Sequence, residues 1–396
     1  MSGKNTIEKH SNFVIILLLL FPILINSIKI FGNLILLIFT ILGIYIAISE
    51  KKNPFQIPEL KLFSWLTTGY FLIMLLSIMI AYGFNAEFHH LGRIIHFLFA
   101  PFIALTLFQV DLPLKKLLLS IKIGLIAIGT VVLTGPLFGN MINANIFSDI
   151  TVAMLFLSIV QIFDETPKER IVTFVAVLMG SYAIFLIGSR GSWLSLLILS
   201  IVYIGLIYKP FIKNNNKMKV SLALMLIVFF GFIGTSSHIK ERVEKSIAEV
   251  QDWNSGKEVW SSNGNRMKMW KSGLSAAKDS PWFGHGFRNE NKAAAAYVSK
   301  NKDWVSVGTH LHNQYITNLV SAGIVGLLML LILLFKPIAV FYQNLKNKNT
   351  YYYSTMGILL CVGYITFGFT HIAFGEEHIN AFYVLFMGFL LPRVIK

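Results

Sequence analysis

The chain has 396 residues, of which 55% are apolar and only 13% charged, with a formal net charge of +15 and a mean hydropathy of +0.66. A soluble domain of this length carries about a quarter charged residues, so the water-soluble globular class is excluded. The basic excess reads as a membrane-orientation device and not as a nucleic-acid surface, because no nucleic-acid motif accompanies it.

A bilayer core takes roughly 20 apolar residues per helix, and only a helix satisfies its own backbone groups in hydrocarbon. Twelve stretches qualify in chain order: 12–28, 30–49, 62–82, 94–110, 116–138, 146–163, 171–188, 192–208, 218–235, 316–335, 353–371 and 379–393. The expected fold is all-α, a polytopic integral membrane protein with about twelve transmembrane helices. The first span follows Lys4 and Lys9 but precedes no small-residue cleavage site, so it is read as an anchor and not a signal peptide. The span at 94–110 carries His96 and Pro101. Lys122 and His96 are the main ionisable residues inside spans, where such groups are costly. The single cysteine, Cys361, lies within a span, so there is no disulfide framework.

With a cytoplasmic N-terminus and alternating sides, 18 Lys and Arg residues fall in cytoplasmic segments, against Lys29, Arg93 and Arg190 in the short outward loops. That bias predicts N-in, C-in topology. Eight of the ten histidines (89, 90, 238, 285, 310, 312, 371 and 378) fall on the outward side. Groups that titrate near neutral pH are therefore concentrated on one face.

Three regions follow: spans at 1–235, one long polar loop at 236–315, and spans at 316–396. Within the loop, Lys240 to Gln251 sets Val243, Ile247 and Val250 at helical spacing, which predicts an amphipathic helix. A second helix is predicted over Asn265 to Lys278, with Asn265 as N-cap and with Arg266 and Trp270 on one face. Ser280-Pro281 ends it, Gly284-His285-Gly286 turns the chain, and Lys292 to Tyr297 reads as a third helix. The loop closes on Thr309-His310-Leu311-His312-Asn313-Gln314-Tyr315.

Few residues here carry chemistry. Arg190 lies in Gly188-Ser189-Arg190-Gly191-Ser192-Trp193, between two apolar runs. Its guanidinium fork suits phosphate oxygens; an interfacial arginine snorkelling to lipid headgroups is the other reading. Arg266 is a second anion contact at a helix start, or a solvated arginine beside Lys268 and Lys271. His312 is a general base, a histidine held in a helix-start turn with Asn313 as cap, or half of a weak His310/His312 metal pair. Glu376, with Glu377, is a second base, an acceptor-orienting pair or a short hydrated loop. Arg93, Tyr82, His89 and His90 share that side without any spacing that compels a site.

The Ser-Arg-Gly-Ser element, the long outward loop, the Arg-x-x-x-Trp helix, the Pro-Trp-Phe-Gly-His-Gly-Phe turn and the closing His-Asn-Gln-Tyr, in this order, resemble the O-antigen ligase, polymerase and O-oligosaccharyltransferase superfamily. The motifs cover about residues 186–330. The resemblance implies a multi-spanning (GT-C-like) glycosyltransferase of the bacterial inner membrane with a periplasmic active site. The donor would be a glycan on undecaprenyl diphosphate, the acceptor lipid A–core oligosaccharide, with membrane lipids as surroundings, no cofactor and no nucleic-acid partner. Carried over, Arg190 and Arg266 bind the donor diphosphate and His312 is the catalytic base, with His310, Asn313, Arg93 and Glu376 as possible further site residues. No Asp-x-Asp element is present, which fits a metal-independent, inverting transfer. Polymerase and protein O-oligosaccharyltransferase remain as alternatives with the same donor, and a transporter or lipid flippase as a more distant one.

Overall fold

A computed structural model of the chain describes residues 2–28, 30–83, 88–134, 143–213, 215–216, 219, 237–256, 261–299 and 310–395. Fourteen α-helices and no strands appear among the described residues. They are α1 (Ser2–Leu24), α2 (Phe31–Ser49), α3 (Pro58–Tyr82), α4 (Ile95–Phe108), α5 (Leu114–Thr134), α6 (Ala144–Ser158), α7 (Pro167–Ile187), α8 (Arg190–Ile207), α9 (Ser237–Asn254), α10 (Ser262–Ala277), α11 (Glu290–Ser299), α12 (Gln314–Asn344), α13 (Tyr351–Phe367) and α14 (Glu377–Leu390). A 3-10 turn, Phe88–Ile94, leads into α4.

Helices occupy eleven of the twelve expected spans, and 218–235, apart from residue 219, lies outside the described residues. Seven are long and apolar enough to cross a membrane: α2, α3, Phe88–Phe108, α5, α7, α8 and α12. The apolar part of α1, Ser11–Leu24, and α6 are shorter. Helix α14 is short for a different reason. Every residue from His378 to Leu390 is buried, so it runs through the centre of the bundle. By contrast α7 turns Ile171, Phe174, Leu178 and Leu186 outward. An apolar face of that extent suits lipid and not water.

Polar contacts sort the loops into two ends. At one end Lys52 donates to Gln109, Lys115 faces Glu169, and Arg393 donates to the carbonyls of Leu107 and Val110. At the other, Asn33 donates to Glu377, Arg93 pairs with Glu376, and Ser189 donates to Asn145. These contacts put Lys52, Gln109, Lys115, Glu169 and Arg393 at one end and Asn33, Arg93, Asn145, Ser189 and Glu376 at the other. Lys122 of α5 is buried against Glu165, whose other oxygen accepts from Thr173 at 2.7 Å.

The long polar loop contains α9, α10 and α11, close to their expected bounds. Asn265 is not the N-cap of α10. Ser261 is, its hydroxyl accepting from the Gly264 amide at 3.1 Å. A serine one turn upstream therefore starts the helix earlier than expected.

Helix α12 is broken at Ala322 and Gly323, whose backbones are non-helical. The turn after α10 fills the break. His285 and Gly286 donate to the Val320 and Ser321 carbonyls at 2.8 and 2.9 Å, and Ile324 and Val325 donate to the Pro281 and Trp282 carbonyls at 2.7 and 3.3 Å. Four backbone groups freed by the break are satisfied this way, as a low-dielectric setting requires. Gly323 has φ +63, and a Cβ there would lie 2.2 Å from the Trp282 carbonyl carbon. Gly323→Ala is therefore expected to cost about 3 kcal/mol or more, from a backbone region open almost only to glycine plus steric overlap. A thermal melt of the detergent-solubilised variant should show a clear fall; an unchanged melt would mean that this docking is not what holds the loop.

Candidate functional site

Four stretches meet at the end of the bundle that carries α9–α11. The first is the α7–α8 turn. Helix α7 closes on Gly188 in the left-handed region, Ser189 follows, and α8 starts at Arg190. The turn is fixed from below. Ser192 donates to Asp149 Oδ1 at 2.8 Å, Ser189 donates to Asn145 Oδ1 at 2.9 Å, and the two serine hydroxyls lie 3.1 Å apart. A Cβ at Gly191 would lie 2.1 Å from Thr370 Oγ1, so only glycine lets α8 approach the 368–376 loop this closely. Arg190 itself is exposed.

The second stretch is α10. Trp270 Nε1 donates to the Leu311 carbonyl at 2.9 Å, which pins the Arg266 face of the helix against the closing motif. Arg266 is half-buried, and its guanidinium is held below its ordinary pKa first by burial and then by the Arg190 charge. Two cations in mutual range, one of them short of solvent, make this an electropositive region.

The third stretch is His310 to Asn313. Asn313 caps α12, its side-chain oxygen accepting from Ile316 at 3.0 Å while its amide donates to the Phe369 carbonyl at 3.2 Å. His310 is buried, and its Nδ1 accepts the His312 amide at 3.3 Å. His312 is half-buried at φ +52, with Nδ1 buried and unpartnered. The fourth stretch, 368–376, contributes His371. Its ring stacks on His310 at 5.4 Å, and His310 lies 4.0 Å from His312. Burial is the first cause that depresses all three imidazoles. His310 falls to about 2, with His312, His371, Arg288 and Arg266 adding to the effect; His312 falls to about 4, with Arg266 adding; His371 falls to about 3, with His312 and Arg266 adding. All three are neutral at physiological pH, and neutral imidazoles accept protons.

Arg190, Arg266, His312, His310 and Asn313 are thus brought together. Arg93 and Glu376 pair with each other at 2.9 Å on the same end. His371 stands in the sequence only as one of the outward histidines, and nothing there marks Arg288 or Asp149. Among the described residues no group of three or more His, Cys, Asp or Glu side chains is arranged to hold a metal ion. A shallow groove beside Lys61, Trp65, Gln343 and Ile395 opens at the opposite end, away from these groups.

Residues 174–331 match the family model described as O-antigen ligase. The resemblance read from the motifs holds. The matched stretch contains Arg190, Arg266, His310, His312 and Asn313, and ends just past the break in α12. An uncharacterized protein of Haemophilus influenzae is 29% identical over 399 residues, covering 95% of this chain and 97% of its own. Residues 174–331 are thus similar to the O-antigen ligase family, in a chain with seven described helices long and apolar enough to cross a membrane.

Proposed function

We propose that this protein is an O-antigen ligase, transferring a glycan from undecaprenyl diphosphate to lipid A–core oligosaccharide at the periplasmic face of the inner membrane. The carrying observation is that the Arg190 turn, packed on Thr370 through Gly191, and the Arg266 helix, tied to Leu311 through Trp270, converge on the cluster of His310, His312 and His371. The family match supports a glycosyltransferase-type enzyme and lipid-linked glycan substrates in general terms. The sorting of basic loops to the end away from the site supports a cytoplasmic placement of that end.

The acceptor hydroxyl oxygen bonds to the anomeric carbon as the bond from that carbon to the diphosphate oxygen breaks. The hydroxyl proton passes to His312, and undecaprenyl diphosphate leaves with its electron pair. Arg190 and Arg266 neutralise the charge that grows on the leaving group, often the largest single catalytic contribution. Attack opposite the leaving group inverts the anomeric centre. Of the two histidines in the closing motif, His312 is assigned as base. It is the more exposed, and His310 is committed to its neighbour's amide.

The test is transfer in detergent from an undecaprenyl-diphosphate-linked glycan, with lipid A–core, lipid-linked glycan and protein as alternative acceptors and with excess chelator in a parallel arm. Glycosylated lipid A–core is expected, with the chelator making no difference. Extension of the lipid-linked glycan alone makes it a polymerase, and transfer to protein alone an O-oligosaccharyltransferase. No transfer to any acceptor overturns the transferase reading, and loss with chelator overturns the metal-independent one.

A further inference from the structure

Among the described residues, three non-glycine residues have positive φ: Lys51, Arg288 and His312. The left-handed region costs an L residue roughly 1–2 kcal/mol, and such strain persists only where the surroundings over-determine it, often at binding sites. Two of the three stand at this site.

The surroundings of Arg288, at φ +70, are visible on both sides. Phe287 is buried in the bundle core, and its amide donates to Ser77 Oγ of α3 at 3.2 Å. Glu290 is fully buried, and one of its oxygens accepts from Ser321, beside the break in α12, at 2.9 Å. The chain is therefore clamped before and after Arg288, and the direction of its side chain is imposed. What that direction achieves inside the protein is poor. Nη1 is buried without a hydrogen-bond partner, a costly condition for a charged donor. The neighbouring carboxylates favour its charge but do not fill that donor: Glu376 is engaged by Arg93 at 2.9 Å, and the second oxygen of Glu290 is itself buried and unpartnered. Burial also pushes the Glu290 carboxyl upward, toward the neutral form.

The charge acting on Arg266 is Arg190, whereas those acting on Arg288 are Glu290, Arg93 and Glu376. His310 feels both Arg288 and Arg266. Arg288 is thus a further cation acting on His310, apart from the Arg190–Arg266 pair. A diphosphate binds the Arg190–Arg266 pair in the function proposed above, on which the following step rests. We infer that Arg288 binds an anionic substituent, a phosphate or a carboxylate, of the acceptor glycan, fixing the acceptor hydroxyl beside the base.

Calorimetric binding to the full-length protein in detergent tests this with three probes: inorganic diphosphate, a hexose phosphate and a hexuronate. Arg288→Asn is the first variant, because asparagine tolerates the left-handed region; Arg288→Gly is the second, should a melt show that the first loosens the turn. Wild type is expected to bind at least one sugar anion, the Arg288 variants to lose at least tenfold of that affinity with diphosphate affinity within twofold, and Arg266→Gln to do the reverse. The sugar anion that is lost identifies the substituent as phosphate or carboxylate. Unchanged sugar-anion affinity in the variants, equal loss of diphosphate, or a wild type that binds neither sugar anion overturns the inference. Because binding is read apart from turnover, a protein that shows this pattern yet transfers no glycan keeps the anion site and loses the ligase reading.

Discussion

His312→Ala is expected to lower glycan transfer by about 10²–10⁴-fold, the usual contribution of a positioned general base, with little change in melting temperature. The asymmetry among the three clustered imidazoles motivates this. His310 and His371 are buried, stacked on each other at 5.4 Å, and each uses Nδ1 to accept a backbone amide, His310 from His312 and His371 from Ile372. Their removal takes away packing and satisfied polar contacts, so His310→Ala and His371→Ala should lower the melt. His312 is half-buried, and no backbone amide occupies its Nδ1. Its left-handed backbone sets the ring 4.0 Å from that of His310 and within reach of the Arg266 charge. The measurement is a transfer rate set beside a melt for each of the three variants. Full activity in His312→Ala removes it as the base. An equal loss in His310→Ala with an unmoved melt would hand the role to His310, whose pKa of about 2 makes it the weaker proton acceptor.

Hydropathy and periodicity are local properties, and what they encode was legible. The span at 171–188 became Pro167–Ile187, and the charged 240–251 stretch became Ser237–Asn254. The Arg266–Trp270 spacing put both side chains on one face, as the Trp270 bond to Leu311 requires. Asn313 as helix cap was equally readable, because the cap lies three residues from its donor. The N-cap of α10 was misplaced because Ser261 and Asn265 are both capping residue types, four positions apart, and only the Ser261–Gly264 bond distinguishes them. The break in α12 was hidden for a different reason. Ala322 and Gly323 sit in an apolar run, and their non-helical backbones depend on a turn forty residues upstream. His371 and Arg288 were missed on the same ground, since their meeting with His310 is a property of the folded chain. Asp149 was lost to averaging, one carboxylate among the apolar residues of α6, although it anchors Ser192 under Arg190.

Arg266→Gln is expected to cost transfer about 10²–10³-fold, the scale of losing one preorganised donor at a developing anion, and also to move the acid limb of the pH profile. In the free enzyme, burial first and the Arg266 charge second hold His312 at about 4. That keeps the imidazole unprotonated but makes it a weak base. In the function proposed above, a donor diphosphate would bring negative charge to the two arginines, offset their field and raise the His312 pKa in the complex. The unprotonated form is the active one, so activity is lost as pH falls through the relevant pKa. Since kcat/KM reports the free enzyme and kcat the bound complex, the acid limb of kcat should lie at higher pH than that of kcat/KM. Glutamine at 266 removes a positive neighbour, so the kcat/KM limb should shift to higher pH. Arg266→Lys keeps the charge but not the bidentate fork, so it should lose rate with the limb left where it is in wild type. The two substitutions thereby separate field from geometry. If the limb stays put in the glutamine variant, Arg266 does not tune the imidazole, and the picture of a base switched on by its own anionic substrate fails.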